Sequence, residues 1–224
     1  MSLFSQTGDA ITIHGPAGML QAAGVDGRAD GLLADRSRVA VVCHPHPQHG
    51  GSMNNKVVTS LVRTYRDLGV PSLRFNFRGV EKSEGEYGHA VGEVEDLLAV
   101  LDWLKERAGE AELLLAGFSF GSAIAAQVTH RSPWPVQQLT LVAPPVERYD
   151  YDRDGHFPCP VAVAQGGRDE IVVAEGVHDW CESRLQSTCE LLRYEDAGHF
   201  FHGRLTELKA DLSAVIPRQL GVIS

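Results

Sequence analysis

The sequence lacks a long apolar run and lacks a basic surplus. No stretch approaches the roughly 20 apolar residues that cross a bilayer, and residues 1–9 have neither the basic start nor the apolar segment of a signal peptide. Among 224 residues, 20 lysines and arginines face 29 aspartates and glutamates, which gives a formal charge of −9. We therefore expect neither a membrane nor a nucleic acid as a partner.

Cysteine is scarce as well, and no Cys-x-x-Cys pair occurs. The four cysteines lie in or beside apolar segments, at Cys43, Cys159, Cys181 and Cys189. This arrangement favours reduced, buried thiols, and a cytoplasmic location is the expectation. A hydrophobic fraction of 43% and a charged fraction of 22% are ordinary for a globular protein, so the composition does not indicate disorder.

Short apolar segments alternate with amphipathic ones from Val39 onward. Strand character is found in residues 39–43, 73–77, 113–115, 138–142, 161–165 and 191–194. Helical spacing of apolar residues covers 57–68, 94–104, 177–185 and 205–215. This alternation predicts an α/β fold with an open, mostly parallel sheet, helices on both faces, and functional residues on loops at the strand carboxyl ends. Residues 10–14 and 20–25 flank a Gly-Pro turn and predict N-terminal strands or a hairpin within 1–38.

The segment 113–126 holds a Gly-x-Ser-x-Gly pattern between a predicted strand and a predicted helix. Gly117 and Gly121 leave room for a tight, strained turn that would lift the Ser119 hydroxyl above the sheet edge, beside a helix N-terminus. A serine hydroxyl is a poor nucleophile at neutral pH, so it needs a base, and that base needs a carboxylate to fix its tautomer. The pattern is informative only if such partners follow it.

Two later loops supply these partners in the order serine, acid, histidine. Asp169 follows the predicted strand 161–165 and two glycines, and His199 follows the predicted strand 191–194 and another glycine. Glycine-bearing turns of this kind can bring both side chains to one point. The sequence therefore predicts a catalytic triad of Ser119 as nucleophile, Asp169 as acid and His199 as base.

Three competing interpretations concern the same loops. Asp169 could cap a helix before Ile171 instead of serving a histidine. Asp196 is a rival acid, but it shares the short loop of His199, so geometry favours Asp169. His202 is a rival base, and its position at the opening of the last helix is more typical of a solvated polar residue.

Several segments together resemble those of a known family. Residues 44–56, 73–80, 116–121 and 198–203 resemble segments of small bacterial serine hydrolases in the α/β-hydrolase superfamily, which are related to dienelactone hydrolases and have little or no lid. The resemblance implies a single-domain α/β-hydrolase fold over 1–224, with the catalytic core in 39–224, and the same triad. Glu81-Lys82 departs from the pattern, where Gly-x is expected, so the neighbouring turn is in doubt.

An oxyanion hole is expected beside Ser119. One donor should be the backbone N–H of Phe120, the residue directly after the nucleophile. Pro45 and Pro47 have no N–H to donate, and similarity to the superfamily loop implies His46 as the second donor. This chemistry requires no cofactor.

Two other classes of function remain open. His44, His46 and His49 have the His-x-His-x-x-His spacing of binuclear zinc hydrolases, although no Asp follows where such sites place one, so a metal-dependent hydrolase is one alternative. A catalytically silent ligand-binding domain of the same fold is the other. The complete serine, acid and histidine order argues against the silent domain.

The remaining polar residues are expected to support the site. Asn76 and Arg78 should hold loops, and Tyr149–Asp154 is a candidate for a small rim. The acids of the helix near 94–104 are expected on its solvated side, although one of them could support loops of the sheet: Glu93, Glu95, Asp96, Asp102 and Glu106. Because the connection 144–160 leaves little chain for a lid, we expect a small-molecule ester, thioester or amide with a small or protruding acyl group. The sequence specifies neither the substrate itself nor the oligomeric state.

Overall fold

The computed structural model describes residues 3–34, 37–151 and 156–223. Its centre is one eight-stranded sheet in the order β1-β2-β4-β3-β5-β6-β7-β8. The strands are β1 (Asp9–Gly15), β2 (Gly18–Val25), β3 (Arg38–Cys43), β4 (Ser72–Phe75), β5 (Glu112–Phe118), β6 (Val136–Val142), β7 (Val161–Gly166) and β8 (Cys189–Tyr194). All neighbouring strands from β4 to β8 run parallel. The predicted α/β fold with a mostly parallel sheet is confirmed.

The N-terminal strands form the antiparallel edge of this sheet. In β1 and β2, Ile13 pairs with Leu20 and Ile11 pairs with Ala22, and β2 then pairs antiparallel with β4. Ile13, Leu20 and Ala22 are buried while their neighbours along the strands are more exposed, which is the two-residue period of a half-covered sheet. The hairpin is therefore continuous with the main sheet.

Among the described residues, five α-helices cover the two faces of the sheet. They are α1 (Lys56–Leu68), α2 (Gly92–Ala108), α3 (Phe120–Thr129), α4 (Ala174–Asp179) and α5 (Leu205–Gln219). Apolar residues of α1 and α5 form one buried cluster with the sheet, and those of α2, α3 and α4 form the other. Every residue of β3 and β7 is buried as a result, which explains the apolar runs at residues 39–43 and 161–164 within them.

Strand β4 is shorter than the sequence indicates. It ends at Phe75 because the next two residues turn to bind loop groups. The side-chain Oδ1 of Asn76 accepts a hydrogen bond from the Met53 amide at 2.7 Å, and the Phe77 amide donates to His44 Nε2 at 3.0 Å. The last two residues of the predicted strand 73–77 therefore belong to the loop after β4, at the carboxyl edge of the sheet.

Three other local features differ from the predictions. The loop after β3, predicted to be free of regular structure, contains a 3₁₀ turn at Pro47–His49, where the leading proline is compatible with a first helical position. The helix predicted over 177–185 starts earlier, as α4, and continues as a π-helical turn at Trp180–Arg184. Glu81, which stands where Gly is expected, has φ of 48°, a left-handed value that glycine adopts more easily.

The connection from β6 to β7 is the segment that could form a lid over the carboxyl edge of the sheet. Its described residues, 143–151 and 156–160, contain no helix, so these residues form no helical lid. Across the described ranges, none of the helices has the length and apolar character needed to span a bilayer.

Candidate active site

Ser119 lies in a sharp turn between β5, which ends at Phe118, and α3, which begins at Phe120. Its φ is 53° and its ψ is −122°, a conformation that costs a non-glycine residue free energy. The Ser119 amide is held by the carbonyl of Val142 in β6 at 2.8 Å. The turn therefore places the Ser119 side chain at the carboxyl edge of the sheet, where the residue is 9% exposed.

The two glycines of the pattern are needed for close packing of this turn. A Cβ atom at Gly117 would lie 2.2 Å from the Gly121 carbonyl oxygen, and a Cβ atom at Gly121 would lie 2.4 Å from the His44 carbonyl oxygen. Both distances are far below van der Waals contact. Glycine at these positions lets α3 start directly against β5 and the end of β3.

Ser119, His199 and Asp169 form a continuous line of contacts. His199 Nε2 lies 3.1 Å from Ser119 Oγ, and His199 Nδ1 lies 2.8 Å from Asp169 Oδ2. The side chains of His199 and Asp169 are 3% and 0% exposed. Because a carboxylate can only accept, Asp169 keeps a proton on Nδ1 and leaves Nε2 able to take the proton of Ser119. The structure thus brings the three predicted residues together in the geometry that nucleophilic catalysis requires.

Asp169 also holds its own loop. Its Oδ1 accepts hydrogen bonds from the amides of Ile171 at 2.9 Å and Val172 at 2.7 Å. Burial by itself would raise the pKa of Asp169, but the hydrogen bonds from His199, Val172 and Ile171 outweigh it, so the pKa lies below its ordinary value. No helix begins at Ile171, because α4 starts at Ala174 with Val173 as its N-cap, so the helix-capping interpretation of Asp169 is wrong. Asp169 Oδ1 instead holds the turn that follows it, while Oδ2 contacts His199.

The rival acid and base lie elsewhere. Asp196 is half-exposed and pairs with Arg168 at 2.7 Å and with Arg204 at 3.6 Å. His202 is exposed. In the described part of the chain, neither side chain has a hydrogen bond to Ser119 or His199. The geometry therefore favours Asp169 and His199 over both rivals.

The histidine-rich loop after β3 does not have the arrangement of a metal site. His44 is buried, its Nδ1 lies 2.6 Å from the Pro45 carbonyl, and its Nε2 accepts from the Phe77 amide. Both ring nitrogens are thus engaged with the backbone, and burial lowers the pKa of His44 to about 4. Among the described residues, no group of three or more His, Cys, Asp and Glu side chains is placed to hold a metal ion.

The two residues named for the oxyanion hole are neighbours. The rings of His46 and Phe120 have centroids 5.0 Å apart. Phe120 is the first residue of α3, and amides in the first turn of a helix have no acceptor within the helix. His46 directly precedes the 3₁₀ turn. Their amides stay a prediction as oxyanion donors.

Sequence reasoning did not identify Tyr87, which fixes the orientation of His46. The Gln48 amide donates to His46 Nδ1 at 3.2 Å, so the proton is on Nε2, which lies 3.1 Å from the Tyr87 hydroxyl. Burial and the nearby His49 lower the pKa of His46, which favours this neutral form. Tyr87 belongs to a glycine-rich loop with no periodic signal, so only the folded chain shows the contact.

Two acids of α2 are buried, and the prediction that they lie on its solvated side is wrong. Asp96 is 0% exposed and binds the Arg78 guanidinium at 2.8 Å and the Arg78 amide at 2.9 Å. Glu93 is also buried and accepts from the amides of Gly88 at 2.7 Å and Ala90 at 2.8 Å. Residues four apart lie on the same face of a helix, so Asp96 shares a face with the buried Val100. This spacing could have indicated that Asp96 is buried. The other three acids, Glu95, Asp102 and Glu106, are exposed as predicted.

The expectation that Asn76 and Arg78 hold loops is confirmed by their contacts with Met53 and Asp96. Of the candidate rim, Tyr149 is partly buried and its ring packs edge-on against Phe120, with centroids 5.6 Å apart. Residues 152–154 of that rim lie outside the described residues.

Comparisons with known proteins bear on this site. The family model for the α/β-hydrolase fold matches residues 46–158. An uncharacterised protein of Rickettsia prowazekii is 36% identical over 206 residues, which cover 88% of this chain and 84% of that protein.

Two solved structures are similar over nearly the whole chain. An α/β serine hydrolase homologue from Coxiella burnetii is 41% identical, with a TM-score of 0.85 over 92% of this chain and 96% of the other. A lidless α/β serine hydrolase from Xanthomonas campestris is 38% identical, with a TM-score of 0.87 over 96% of both chains.

Proposed function

This chain is a member of the α/β-hydrolase family, a hydrolase of the small lidless kind, and from that premise we propose that it cleaves carboxylic esters through an acyl-enzyme on Ser119. Thioesters and amides would react by the same route. The observation that carries the proposal is the line of contacts from Ser119 through His199 to Asp169, at 3.1 Å and 2.8 Å. The two serine hydrolases similar to this chain give it independent support.

In the proposed reaction, Ser119 Oγ attacks the ester carbonyl while His199 Nε2 accepts the hydroxyl proton. Asp169 stabilises the resulting imidazolium. The bond to the alcohol then breaks, and His199 returns the proton to the leaving oxygen. A water molecule next gives a proton to His199 and attacks the acyl group. The bond to Ser119 Oγ then breaks, and His199 returns the proton to Oγ, which releases the carboxylic acid and restores Ser119.

Charge develops on the carbonyl oxygen during both steps. The amides of Phe120 and His46 are the proposed donors to that oxygen, and loss of one such donor typically costs roughly 10²–10³ in turnover. The Tyr87 contact supports this role, because it orients the His46 ring and with it the loop that carries the amide.

The surroundings favour a small ester with an apolar group that can extend outward. Phe200, Ile171 and Val173 are 38%, 39% and 58% exposed, and all three follow triad residues closely in the chain. An exposed apolar rim of this kind can cover part of an acyl chain. No helical lid from the described β6–β7 residues would enclose a larger lipid.

The first test is labelling by a fluorophosphonate, read as intact mass. The wild-type chain should gain one adduct, and Ser119→Ala and His199→Ala should gain none at the same exposure. His202→Ala and Asp196→Asn are matched controls for His199→Ala and Asp169→Asn, since they change the same loops away from the line of contacts. Hydrolysis of p-nitrophenyl acetate should fall roughly 10⁴-fold in Asp169→Asn and stay near wild type in Asp196→Asn.

Two outcomes would contradict the proposal. A folded wild-type chain that gains no adduct and hydrolyses no ester would favour the silent ligand-binding domain. Ester hydrolysis that survives Ser119→Ala and is lost with a chelator would favour the metal-dependent alternative.

A further inference from the structure

A buried chain of hydrogen bonds ends on the backbone of Ser119. The Ser122 hydroxyl donates to the Ser119 carbonyl oxygen at 2.5 Å, and the Ser122 amide donates to the same oxygen at 2.9 Å. The hydroxyl oxygen of Tyr151 lies 2.7 Å from Ser122 Oγ. Since the only hydroxyl proton of Ser122 goes to the carbonyl, Tyr151 is the donor in this contact. The bonds therefore run in one direction, from Tyr151 to Ser122 to Ser119.

Both hydroxyls lie in apolar surroundings. Ser122 is 0% exposed and Tyr151 is 3% exposed, and the Tyr151 ring packs edge-on against Trp180 with centroids 5.6 Å apart. Burial raises the pKa of Tyr151 well above its ordinary value, so this residue remains a donor at any working pH. Phenylalanine and alanine would fill nearly the same space without desolvating a hydroxyl, so packing alone does not account for these two groups.

The carbonyl at the end of this chain belongs to the peptide unit that carries the Phe120 N–H. A trans peptide unit is planar, and its C=O and N–H point in opposite directions. Fixing the Ser119 oxygen inside α3 therefore fixes the direction in which the Phe120 N–H points out of the helix. This plane is oriented by ψ of Ser119, which is −122°, and the strained pair of φ and ψ values at Ser119 persists only if surrounding contacts hold it.

We propose that Tyr151 and Ser122 are positioning residues that aim the Phe120 N–H at the developing oxyanion through the Ser119–Phe120 peptide plane. This inference rests on the proposed serine hydrolase function. Neither residue touches the substrate. Tyr151 comes from the β6–β7 connection and Ser122 from α3, so the plane is held by a contact between two separate elements.

The direct test is Tyr151→Phe, which removes one oxygen and keeps the ring. The value of kcat for p-nitrophenyl acetate should fall about three- to tenfold, the effect of one ordinary buried hydrogen bond, with KM unchanged. The rate of fluorophosphonate labelling should fall by a similar factor. The pH of half-maximal activity should stay at the wild-type value, because the His199–Asp169 contact is untouched.

Tyr65→Phe is the matched control. Tyr65 is as buried as Tyr151, its hydroxyl donates to Thr140 Oγ1 at 3.4 Å, and it lies in the cluster on the other face of the sheet. Tyr65→Phe should change the melting temperature as Tyr151→Phe does, but leave kcat at the wild-type value.

A second pair of variants separates positioning from stability. Ser122→Ala removes a donor to Ser119 and leaves the Tyr151 hydroxyl without that partner, so both kcat and the melting temperature should fall. Adding Tyr151→Phe removes the orphaned hydroxyl. The double variant should then recover melting temperature while kcat stays at the level of Ser122→Ala.

The outcomes distinguish this inference from the proposed function. Wild-type kcat in Tyr151→Phe, or a kcat that recovers together with the melting temperature in the double variant, would overturn the positioning role. A wild-type chain that neither gains the adduct nor hydrolyses esters would instead overturn the proposed function.

Discussion

At the residue scale, His44 connects the end of β3 to the loop after β4. In its neutral ring, Nε2 accepts a hydrogen bond from the Phe77 amide and Nδ1 is hydrogen-bonded to the Pro45 carbonyl. A second proton on Nε2 would face the Phe77 N–H and break that bond. Burial, partly offset by the Pro45 carbonyl and Glu81, accordingly lowers the pKa of His44 to about 4. The folded chain therefore resists protonation that the unfolded chain accepts.

Stability should fall with acid in a window set by His44. Between the ordinary histidine pKa of 6.5 and the folded value of about 4, the unfolded state binds a proton that the folded state does not. The free energy of unfolding should therefore decrease as pH falls through this window, by about 3 kcal/mol in total, and this contribution should level off below it. Urea unfolding at a series of pH values measures it.

His44→Gln is the variant that isolates this effect, because a glutamine oxygen can accept from the Phe77 amide without titrating. Its stability should depend less on pH than that of the wild type across the window. The exposed His14→Gln is the control and should keep the wild-type dependence. Parallel profiles for wild type and His44→Gln would show that His44 is not the group responsible.

At the scale of elements, the N-terminal part of α2 anchors the loop after β4. Asp96 binds both the guanidinium and the amide of Arg78, and Glu93 accepts hydrogen bonds from the amides of Gly88 and Ala90. Glu93, which lies in the first turn of α2, also interacts favourably with the helix dipole. The loop they hold carries Tyr87, which contacts His46, so α2 supports the site from a distance.

Asp96→Asn should destabilise the protein strongly. It leaves the Arg78 guanidinium, which is 11% exposed, without its fully buried partner, and breaking a buried ion pair typically costs about 3 kcal/mol or more. For a chain of this size that corresponds to a fall in melting temperature of roughly 6–12 °C. The exposed Asp102→Asn on the same helix should change it little. Equal melting temperatures for the two variants, measured by calorimetry, would contradict the assigned anchoring role.

The elements differ in how far the sequence determines them. Unbroken apolar runs such as Val39 to Cys43 predict buried parallel strands because both faces must be covered. The end of β4 is not predictable in this way, since Asn76 and Phe77 look like strand residues and leave the sheet only for partners that are distant in sequence. The burial of Glu93 and Asp96 depends likewise on Arg78 and on amides of a loop that has no periodic pattern.

At the scale of the whole molecule, parallel β5, β7 and β8 bring three loops to one edge, and this explains why the candidate triad was predictable. Ser119, Asp169 and His199 each follow a recognisable strand and a glycine, so their convergence needs only the topology. Tyr87 and Tyr151 follow no such rule. Their contacts depend on how irregular segments pack against α3 and the His46 loop, which spacing along the chain does not specify.

The exposed apolar side chains near the carboxyl edge of the sheet give a prediction about acyl-chain length. Four of the exposed large apolar side chains lie in loops that connect a strand to the following helix: Val91, Ile171, Val173 and Phe200. If an acyl chain lies across Val173, which is 58% exposed, then Val173→Ser should raise KM for p-nitrophenyl hexanoate about fourfold, the effect of roughly one methylene group returned to water. KM for p-nitrophenyl acetate should not change, because an acetyl group is too short to reach beyond Ser119.

Leu32→Ser is the matched control for this prediction. Leu32 is 50% exposed, but its loop is fixed to the C-terminal end of α1 through the Leu33 amide and the Leu68 carbonyl, at the opposite edge of the sheet. It should leave KM for both esters at the wild-type value. An equal change of KM for the acetate and the hexanoate in Val173→Ser would place the acyl chain elsewhere on the open edge, since only a contact with the distal methylene groups can distinguish the two esters.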